Sequence, residues 1–387
     1  MRTDNSGKSI DIPITSTVSS EKFVDPDKFA SVYSDTWSRS HFWRDWTLPV
    51  IICLAFASIL NYFVNPFSIY APGIFEPYRE NSYVEKTRLF EKLKTPSEVL
   101  ILGSSRAGTL DPTLVTEITG KSCFNWALPS AGVEIFNAVL RISVDEYKNP
   151  VEMVILCVDP EVFHPDLWIS PQALLAKSFT PYFRGTGLWP KVRSIINSGL
   201  RLITLEQLNA SFGVIRREFG DPSEKRDRLY RADGFGLYSA NERAIADGTY
   251  DLKAVISERL TTYPKDNLCF MTGATLSQDR MKKWGKMLEY CDSKGIIVYC
   301  YLPPAHPRYL ELMDNFGALT FFDRIRQFLN ETVTEHGGIF RDYTSLDSFG
   351  GDPNRFYDEV HMRKANNDLI LKNLLAAGDA ESERGDR

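Results

Sequence analysis

The feature that most constrains the fold is a series of short strand-like runs, most of them apolar throughout. The runs are Val99–Leu102, Cys123–Trp126, Met153–Val158, Gly295–Leu302 and Ile339–Phe340. Strands buried on both faces show such runs, whereas half-exposed strands alternate apolar and polar residues. Residues with helical spacing separate the runs, as in 133–144. We therefore predict an α/β fold, a three-layer α/β/α domain with a parallel sheet.

The regular alternation of strands and helices weakens between about residues 160 and 285. We interpret this stretch as a mostly helical insertion between the third and fourth strands, where insertions commonly shape a pocket. The expected domain spans 97–376. A linker and first helix (68–96) precede it, and a charged, disordered tail (377–387) follows it.

A second constraint is the absence of charge from Trp46 to Phe75, with an almost wholly apolar core at Leu48–Val64. Such a core is at the short end of what spans a hydrocarbon layer of ~30 Å. Aromatic residues typical of membrane interfaces flank it, namely Trp43, Trp46, Tyr62 and Tyr70. We predict a transmembrane helix at 46–67; the alternative is a helix buried in a protein core.

Basic residues indicate how that helix is oriented. Arg39 and Arg44 precede it, whereas the first basic residue after it is Arg79. The positive-inside rule then places a polar, largely disordered tail (1–45) in the cytoplasm. The chain is expected in the inner (cytoplasmic) membrane as a single-pass protein with its large domain outside the cytoplasm.

Composition excludes several classes of function. The 387-residue chain has a formal net charge of -5 and no basic stripe, so nucleic acid is not an expected partner. Its six cysteines form no CxxC pair and no metal-ligand cluster stands out, so we expect no metal. Neither a GxGxxG fingerprint nor a P-loop occurs, and no cofactor is expected. The thiols are expected to be buried and unpaired, although one disulfide is compatible with an oxidising compartment.

Two segments carry residues suited to nucleophilic chemistry. Ser105 follows the first strand in the turn Gly103-Ser104-Ser105, where a side chain points into the crevice above a parallel sheet. Such a turn is also an ordinary strand-to-helix connection. Near the C-terminus, Asp358 stands three residues before His361. Imidazole is the usual base for a serine, and a carboxylate at this spacing can fix its tautomer.

These two blocks resemble the SGNH/GDSL hydrolase superfamily, in particular its membrane-anchored members such as the D-alanyl transfer proteins of lipoteichoic acid assembly and the alginate O-acetylation proteins. The resemblance covers about residues 95–375, apart from the insertion. It implies that Ser105 is the nucleophile, His361 the base and Asp358 its orienting partner.

The two middle blocks of the family match less well. The second is an Asn and then a Gly whose N–H serves the oxyanion hole. Asn125 matches the asparagine of this block, whereas Ser130 stands at the position of its glycine. The resemblance implies that the N–H groups of Ser105 and Ser130 stabilise the oxyanion. The third block ends in asparagine, where this chain has Asp159. An ionised carboxylate donates no hydrogen bond, so either Asp159 acts differently or the oxyanion hole is incomplete.

Four side chains are predicted to contact substrate: Arg106, Asn125, Asp159 and His306. Arg106 follows the nucleophile and suits an anionic substrate group, or else pairs with a carboxylate. His306 lies just past the fourth strand, on the crevice side of the sheet.

The resemblance implies a serine esterase or O-acyltransferase. The expected partners are an acyl donor, a cell-envelope polysaccharide, the membrane and an envelope biosynthesis complex. The alternative, motivated by the missing asparagine, is a non-catalytic scaffold or polymer-binding subunit of such a complex.

Overall fold

A computed structural model describes residues 39–67, 70, 74–75, 81–167, 169–184, 196, 199–220, 227–262 and 273–385. Three parts of the sequence analysis lie outside these residues: positions 1–38 of the predicted tail (1–45), much of the linker, and Cys269. The chain divides into two compact units, Met1–Ala57 and Ser58–Arg387. The second unit contains the whole α/β domain.

Five strands form one sheet in the order β2-β1-β3-β4-β5, and every neighbouring pair is parallel. The strands are β1 (Val99–Leu102), β2 (Cys123–Asn125), β3 (Met153–Cys157), β4 (Ile297–Leu302) and β5 (Ile339–Asp342). The predicted fold class is thereby confirmed. Because all strands point the same way, their carboxyl ends meet at one edge of the sheet, where the chain after β1 and β3 carries the predicted site residues.

Helices cover both faces of this sheet, and the alternation of side chains along each strand separates two cores. Leu100 and Leu102 belong to one apolar cluster, whereas Val99 and Ile101 belong to the other. The helices of the described residues are α1 (Arg39–Val64), α2 (Ser82–Glu91), α3 (Pro112–Thr119), α4 (Val133–Arg141), α5 (Pro171–Leu175), α6 (Thr180–Arg184), α7 (Leu205–Phe219), α8 (Ser239–Ala246), α9 (Leu252–Thr262), α10 (Gln278–Lys294), α11 (Pro307–Asn315), α12 (Leu319–Glu335) and α13 (Lys364–Gly385).

Helix α1 contains the one segment of the described residues that is long and apolar enough to cross a membrane. This segment is Asp45–Val64, with a mean hydropathy of 2.1. Large apolar side chains such as Phe56 and Ile59 are more than half exposed on it. The helix ends at Val64, slightly before the predicted residue 67.

The insertion between β3 and β4 contains helices α5 to α9 and a short hairpin closed by the bridge between Tyr230 and Gly236. This hairpin packs on the carboxyl edge of the sheet. Its Asp233 carbonyl accepts a hydrogen bond of 2.9 Å from the Asn125 N–H, and its Gly236 N–H donates one of 2.8 Å to the Gly108 carbonyl. The hairpin, which the sequence analysis did not predict, is thus hydrogen-bonded to residues next to the predicted site.

The C-terminal segment differs from its predicted disorder after residue 376, because α13 continues to Gly385. Five of the nine added residues are Ala, Glu or Arg, which favour helix. Gly378 lets the helix approach the sheet, since a Cβ there would lie 2.2 Å from the Tyr299 hydroxyl oxygen.

We predict that Gly234→Ala destabilises the domain by roughly 2–4 kcal/mol, because it combines left-handed backbone strain with overpacking. Gly234 has φ +84°, and an added Cβ would lie 2.1 Å from the Asn125 carbonyl oxygen. Gly248→Ala is the matched control, since Gly248 has φ +68° but open space around it. Denaturant unfolding of both variants measures the difference; equal losses would contradict the close packing of the hairpin.

Candidate active site

Ser105 lies in a turn that backbone packing fixes directly after β1. Gly103 permits the approach of the neighbouring strand end, because a Cβ there would lie 2.7 Å from Ala107 Cβ and 2.9 Å from Cys157 Cβ. The Ser104 hydroxyl accepts a hydrogen bond of 3.1 Å from the Arg106 N–H and caps the 3₁₀ turn Ser105–Ala107. The Ser105 side chain is therefore held at the carboxyl edge of the sheet.

His361 and Asp358 lie in the loop between β5 and α13. Asp358 Oδ1 accepts hydrogen bonds from the N–H groups of Val360 (3.0 Å) and His361 (2.8 Å), so the loop folds back on its own carboxylate. His361 Nδ1 lies 2.7 Å from Asp358 Oδ2, and His361 Nε2 lies 2.8 Å from Ser105 Oγ. The structure therefore brings together three side chains, the outermost two separated by 256 residues.

Electrostatics keeps Asp358 ionised. Burial alone raises the pKa of this carboxyl, but the hydrogen bond and charge of His361 and the N–H bonds of Val360 and His361 outweigh it. The pKa of Asp358 therefore lies below its ordinary value. An ionised carboxylate accepts a hydrogen bond from Nδ1–H, which leaves Nε2 with a lone pair toward the Ser105 hydroxyl. This is the tautomer in which imidazole acts as a base.

Arg106 forms ion pairs with two carboxylates, which is the second of the two roles predicted for it. Its side chain is only 9% exposed; Nη2 lies 3.0 Å from Glu161 Oε1 and Nε lies 3.7 Å from Asp159 Oδ1. These carboxylates raise the pKa of Arg106 despite its burial. The ion pairs tie the turn after β1 to the chain after β3.

Asp159 lies at this carboxyl edge with an incompletely satisfied side chain. Its Oδ1 atom is buried and has no hydrogen-bond partner among the described residues. Burial raises the pKa of Asp159. The positive charge of Arg106 lowers this pKa, and the negative charge of Glu161 raises it. The pKa of Asp159 therefore lies above its ordinary value, although its ion pair with Arg106 favours the anion.

The side chain of Asn125, which was predicted to contact substrate, is hydrogen-bonded to other parts of the domain. Its side chain is fully buried, and Nδ2 donates to the carbonyls of Ala107 (2.9 Å) and Leu110 (2.8 Å). Its Oδ1 accepts from the N–H of Ala127 (2.8 Å) and from Lys86 Nζ (3.3 Å). Because these bonds use its hydrogen-bonding capacity, Asn125 acts as a structural cross-link.

Ser130 and His306 lie near the site without contacting Ser105 in the described structure. Ser130 is exposed in a left-handed turn (φ 54°) after β2. The His306 N–H donates to the Glu359 carbonyl (2.8 Å), and its Nδ1 accepts from the Arg308 N–H (3.3 Å). His306 therefore supports the loop that carries Asp358. Burial lowers the pKa of His306, and the positive charge of Arg308 lowers it further.

Tyr238 is a site residue that the sequence analysis missed. Its ring stacks on Tyr357 at 4.6 Å, lies 6.3 Å from the His361 ring, and its hydroxyl lies 3.4 Å from the Ser105 carbonyl oxygen. Burial raises the pKa of Tyr238, so it is a neutral hydrogen-bond donor. Nothing in the sequence pairs the insertion with the C-terminal loop, so no signal identified it.

A cavity of about 420 Å³ opens beside Ser105. Its walls come from the turns after β1 and β2 and from the hairpin and α8: Ser105, Gly108, Ala127, Pro129, Asp227, Arg228, Leu229, Tyr230, Gly236, Tyr238, Ser239, Ala240 and Asn241. The cavity thus places aliphatic and aromatic surface next to the Ser105 hydroxyl.

The described cysteines are free thiols, and Cys157, Cys291 and Cys300 are buried. Burial raises the pKa of each of these three thiols. No group of three or more His, Cys, Asp or Glu side chains is placed to hold a metal ion within the described residues.

Comparison with known proteins gives little further information. No protein-family model matches the chain, and no curated protein matches it. Among solved structures it is similar to a candidate acylhydrolase from Bacteroides fragilis NCTC 9343, with a TM-score of 0.34 and 11% identity over 79% of this chain and 98% of that one. A likeness at this level assigns neither a family nor a reaction.

We predict that Asp358→Asn lowers stability at neutral pH by roughly 1.5–3 kcal/mol, the value of a hydrogen bond to a charged group. Because the folded pKa is depressed, the carboxylate stabilises the fold above the ordinary value of 3.8 and loses this effect as pH falls through the folded pKa. The stability gap between wild type and variant should therefore shrink from pH 5 to pH 3. Denaturant unfolding across that range measures it.

Asp347→Asn is the control, because Asp347 is exposed and lies outside the site. A gap between wild type and Asp358→Asn that stays constant down to pH 3 would contradict the assigned charge of Asp358.

Proposed function

We propose that this protein is a membrane-anchored serine acyltransferase or esterase that acts on ester-linked acyl groups. The observation that carries the proposal is the continuous hydrogen-bonded series from Asp358 through His361 to the Ser105 hydroxyl, with Nε2–Oγ at 2.8 Å and Nδ1–Oδ2 at 2.7 Å. A serine hydroxyl is a weak nucleophile until a base within this distance removes its proton. The resemblance to the SGNH/GDSL superfamily supports the same assignment.

The reaction proceeds in two halves. Ser105 Oγ attacks the acyl carbonyl while His361 Nε2 takes its proton, and the resulting imidazolium returns that proton to the departing alcohol oxygen. The acyl group then forms an ester with Ser105. In the second half, His361 deprotonates water or a polymer hydroxyl, which attacks the acyl carbonyl of the acyl-enzyme. The bond between Ser105 Oγ and the acyl carbon then breaks, and the imidazolium returns the proton to Ser105 Oγ. Water gives an esterase, whereas a sugar hydroxyl gives a transferase.

The oxyanion is proposed to accept from the N–H groups of Ser105 and Ser130. An ionised Asp159 cannot supply a further donor, and losing one donor elsewhere costs about 10²–10³ in rate. This argues for a slow enzyme or a dedicated transferase. The same departure motivates the alternative, a non-catalytic scaffold or polymer-binding subunit, but a scaffold has no need of the hydrogen-bonded series at Ser105.

The cavity beside Ser105 is proposed to receive the acyl group. Leu229, Tyr230 and Tyr238 supply apolar surface, whereas Asp227 and Asn241 supply polar groups suited to sugar hydroxyls. Apolar walls with a few polar groups are typical of small-molecule sites.

The acceptor or ester substrate is proposed to be a cell-envelope polysaccharide or similar polymer, as the membrane-anchored subgroup suggests. The apolar surface of α1 supports anchoring, since Asp45–Val64 has the length and composition of a membrane span. Arg39 and Arg44, which precede the apolar segment Asp45–Val64, favour an extracytoplasmic domain.

We predict that a fluorophosphonate probe labels wild-type protein and that Ser105→Ala abolishes this labelling, because the probe reacts with a base-activated serine. His361→Ala should slow labelling by at least ~10²-fold, since general-base catalysis contributes about 10²–10⁴. In-gel fluorescence against time measures both effects. Ser348→Ala is the control and should retain labelling, because Ser348 is exposed and lies outside the site. Equal labelling of Ser105→Ala would exclude Ser105 as the nucleophile.

We predict that Ala240→Trp lowers kcat/KM for hexanoyl esters about tenfold more than for acetyl esters, because an indole at the cavity wall excludes the longer chain. One methylene group in an apolar pocket is worth ~1–3 kcal/mol, so this contrast is measurable. Ala246→Trp on the same helix is the control, since Ala246 does not line the cavity. A uniform loss with both esters would remove the cavity from acyl recognition.

A further inference from the structure

Helix α7 carries an apolar stripe on its outer face. Leu205, Phe212 and Phe219 are 76%, 52% and 76% exposed, and they repeat every seven residues. A seven-residue step returns to nearly the same side of an α-helix, with a drift of only ~20°. The three large side chains therefore form one row. Leu200 and Ile203, just before the helix, are also exposed.

The opposite face of α7 is buried and tied to the end of α1. Ser211 is fully buried, and its hydroxyl lies 2.7 Å from Asn61 Oδ1. Asn61 Nδ2 donates to the Leu202 carbonyl, also at 2.7 Å. Asn61 itself is fully buried, so the amide cross-links segment 199–219 to α1.

This cross-link places α7 beside the last residues of α1, which belong to the same compact unit. Asn61 stands three residues before Val64, the last residue of the apolar helix. At ~1.5 Å per residue, it lies about 5 Å inside that end. A segment hydrogen-bonded there is held at the boundary between the hydrocarbon layer and the lipid headgroups if α1 spans the bilayer.

We propose that segment 199–219 is a second membrane contact, an interfacial helix whose Leu205–Phe212–Phe219 row enters the lipid surface beside α1. This inference rests on the membrane anchoring in the proposed function. Continuity favours the bilayer as the occupant, because Ile59 and Phe63 next to Asn61 are also more than half exposed. A lipid layer that covers them extends to the α7 row.

The segment carries exposed charges of both signs beside its apolar row. Arg201 and Arg216 are exposed, and so are Glu206 and Glu218. Interfacial helices combine a large apolar row with basic residues, which bind lipid phosphates. Two contacts with one bilayer, α1 and α7, fix the domain's tilt as well as its distance, whereas one helix alone leaves the domain free to swing.

Site-specific photocrosslinking of the full chain in vesicles tests this proposal. Benzoylphenylalanine is placed at Phe212, at Asn209 as an exposed polar control on the same helix, and at Phe56 in the span. The purified protein is reconstituted in vesicles of phosphatidylcholine and phosphatidylglycerol, irradiated, and analysed by mass spectrometry. We expect lipid adducts at positions 212 and 56, with at least about fivefold fewer at 209.

The outcomes separate the inference from the proposed function. One outcome is that position 56 forms lipid adducts while position 212 forms no more of them than the control position 209. That result would overturn the interfacial helix and leave the anchor intact. Absence of adducts at 56 would overturn the anchor as well. A crosslink from 212 to a second copy of the chain, in place of lipid, would overturn the proposal in favour of a protein contact.

Discussion

The arrangement of the site depends on one buried amide, the side chain of Asn125. It bonds to the backbone of the turn that follows Ser105, through the carbonyls of Ala107 and Leu110. Its own backbone N–H holds the insertion hairpin at Asp233, and its backbone carbonyl accepts from Lys86 Nζ at 2.8 Å. Burial lowers the pKa of Lys86 well below its usual range, and the negative charge of Asp233 opposes this shift. One residue thus connects β2, the Ser105 turn, α2 and the insertion.

The other half of the site is largely self-contained. The loop around Asp358 is closed by its own hydrogen bonds, to Val360 and His361, so the orientation of the imidazole is set locally. Only the distance to Ser105 depends on the packing of the whole domain. A short motif can therefore predict the Asp358–His361 pair, whereas the carboxyl-edge location of both blocks follows from the parallel sheet.

What the sequence could predict follows from this division. The strands were predictable because a doubly covered parallel sheet requires uninterrupted apolar runs, and Val99–Leu102 and Met153–Cys157 are such runs. The role of Asn125 was not predictable, because the sequence alone does not distinguish an asparagine that binds substrate from one that hydrogen-bonds to the backbone. Arg106 was ambiguous for a similar reason, because its partner Glu161 follows a different strand. Tyr238 was missed because its position comes entirely from tertiary packing of the insertion.

The insertion links two features that the rest of the fold would leave separate. Its hairpin and α8 form a wall of the cavity beside Ser105, and its α7 helix is hydrogen-bonded to Asn61. Both parts lie in the same compact unit of the chain. If lipid holds α7, the wall of the cavity is attached to an element at the membrane surface. Under the proposed function, the α/β sheet supplies the chemistry, and the insertion both selects the acyl group and contacts the bilayer.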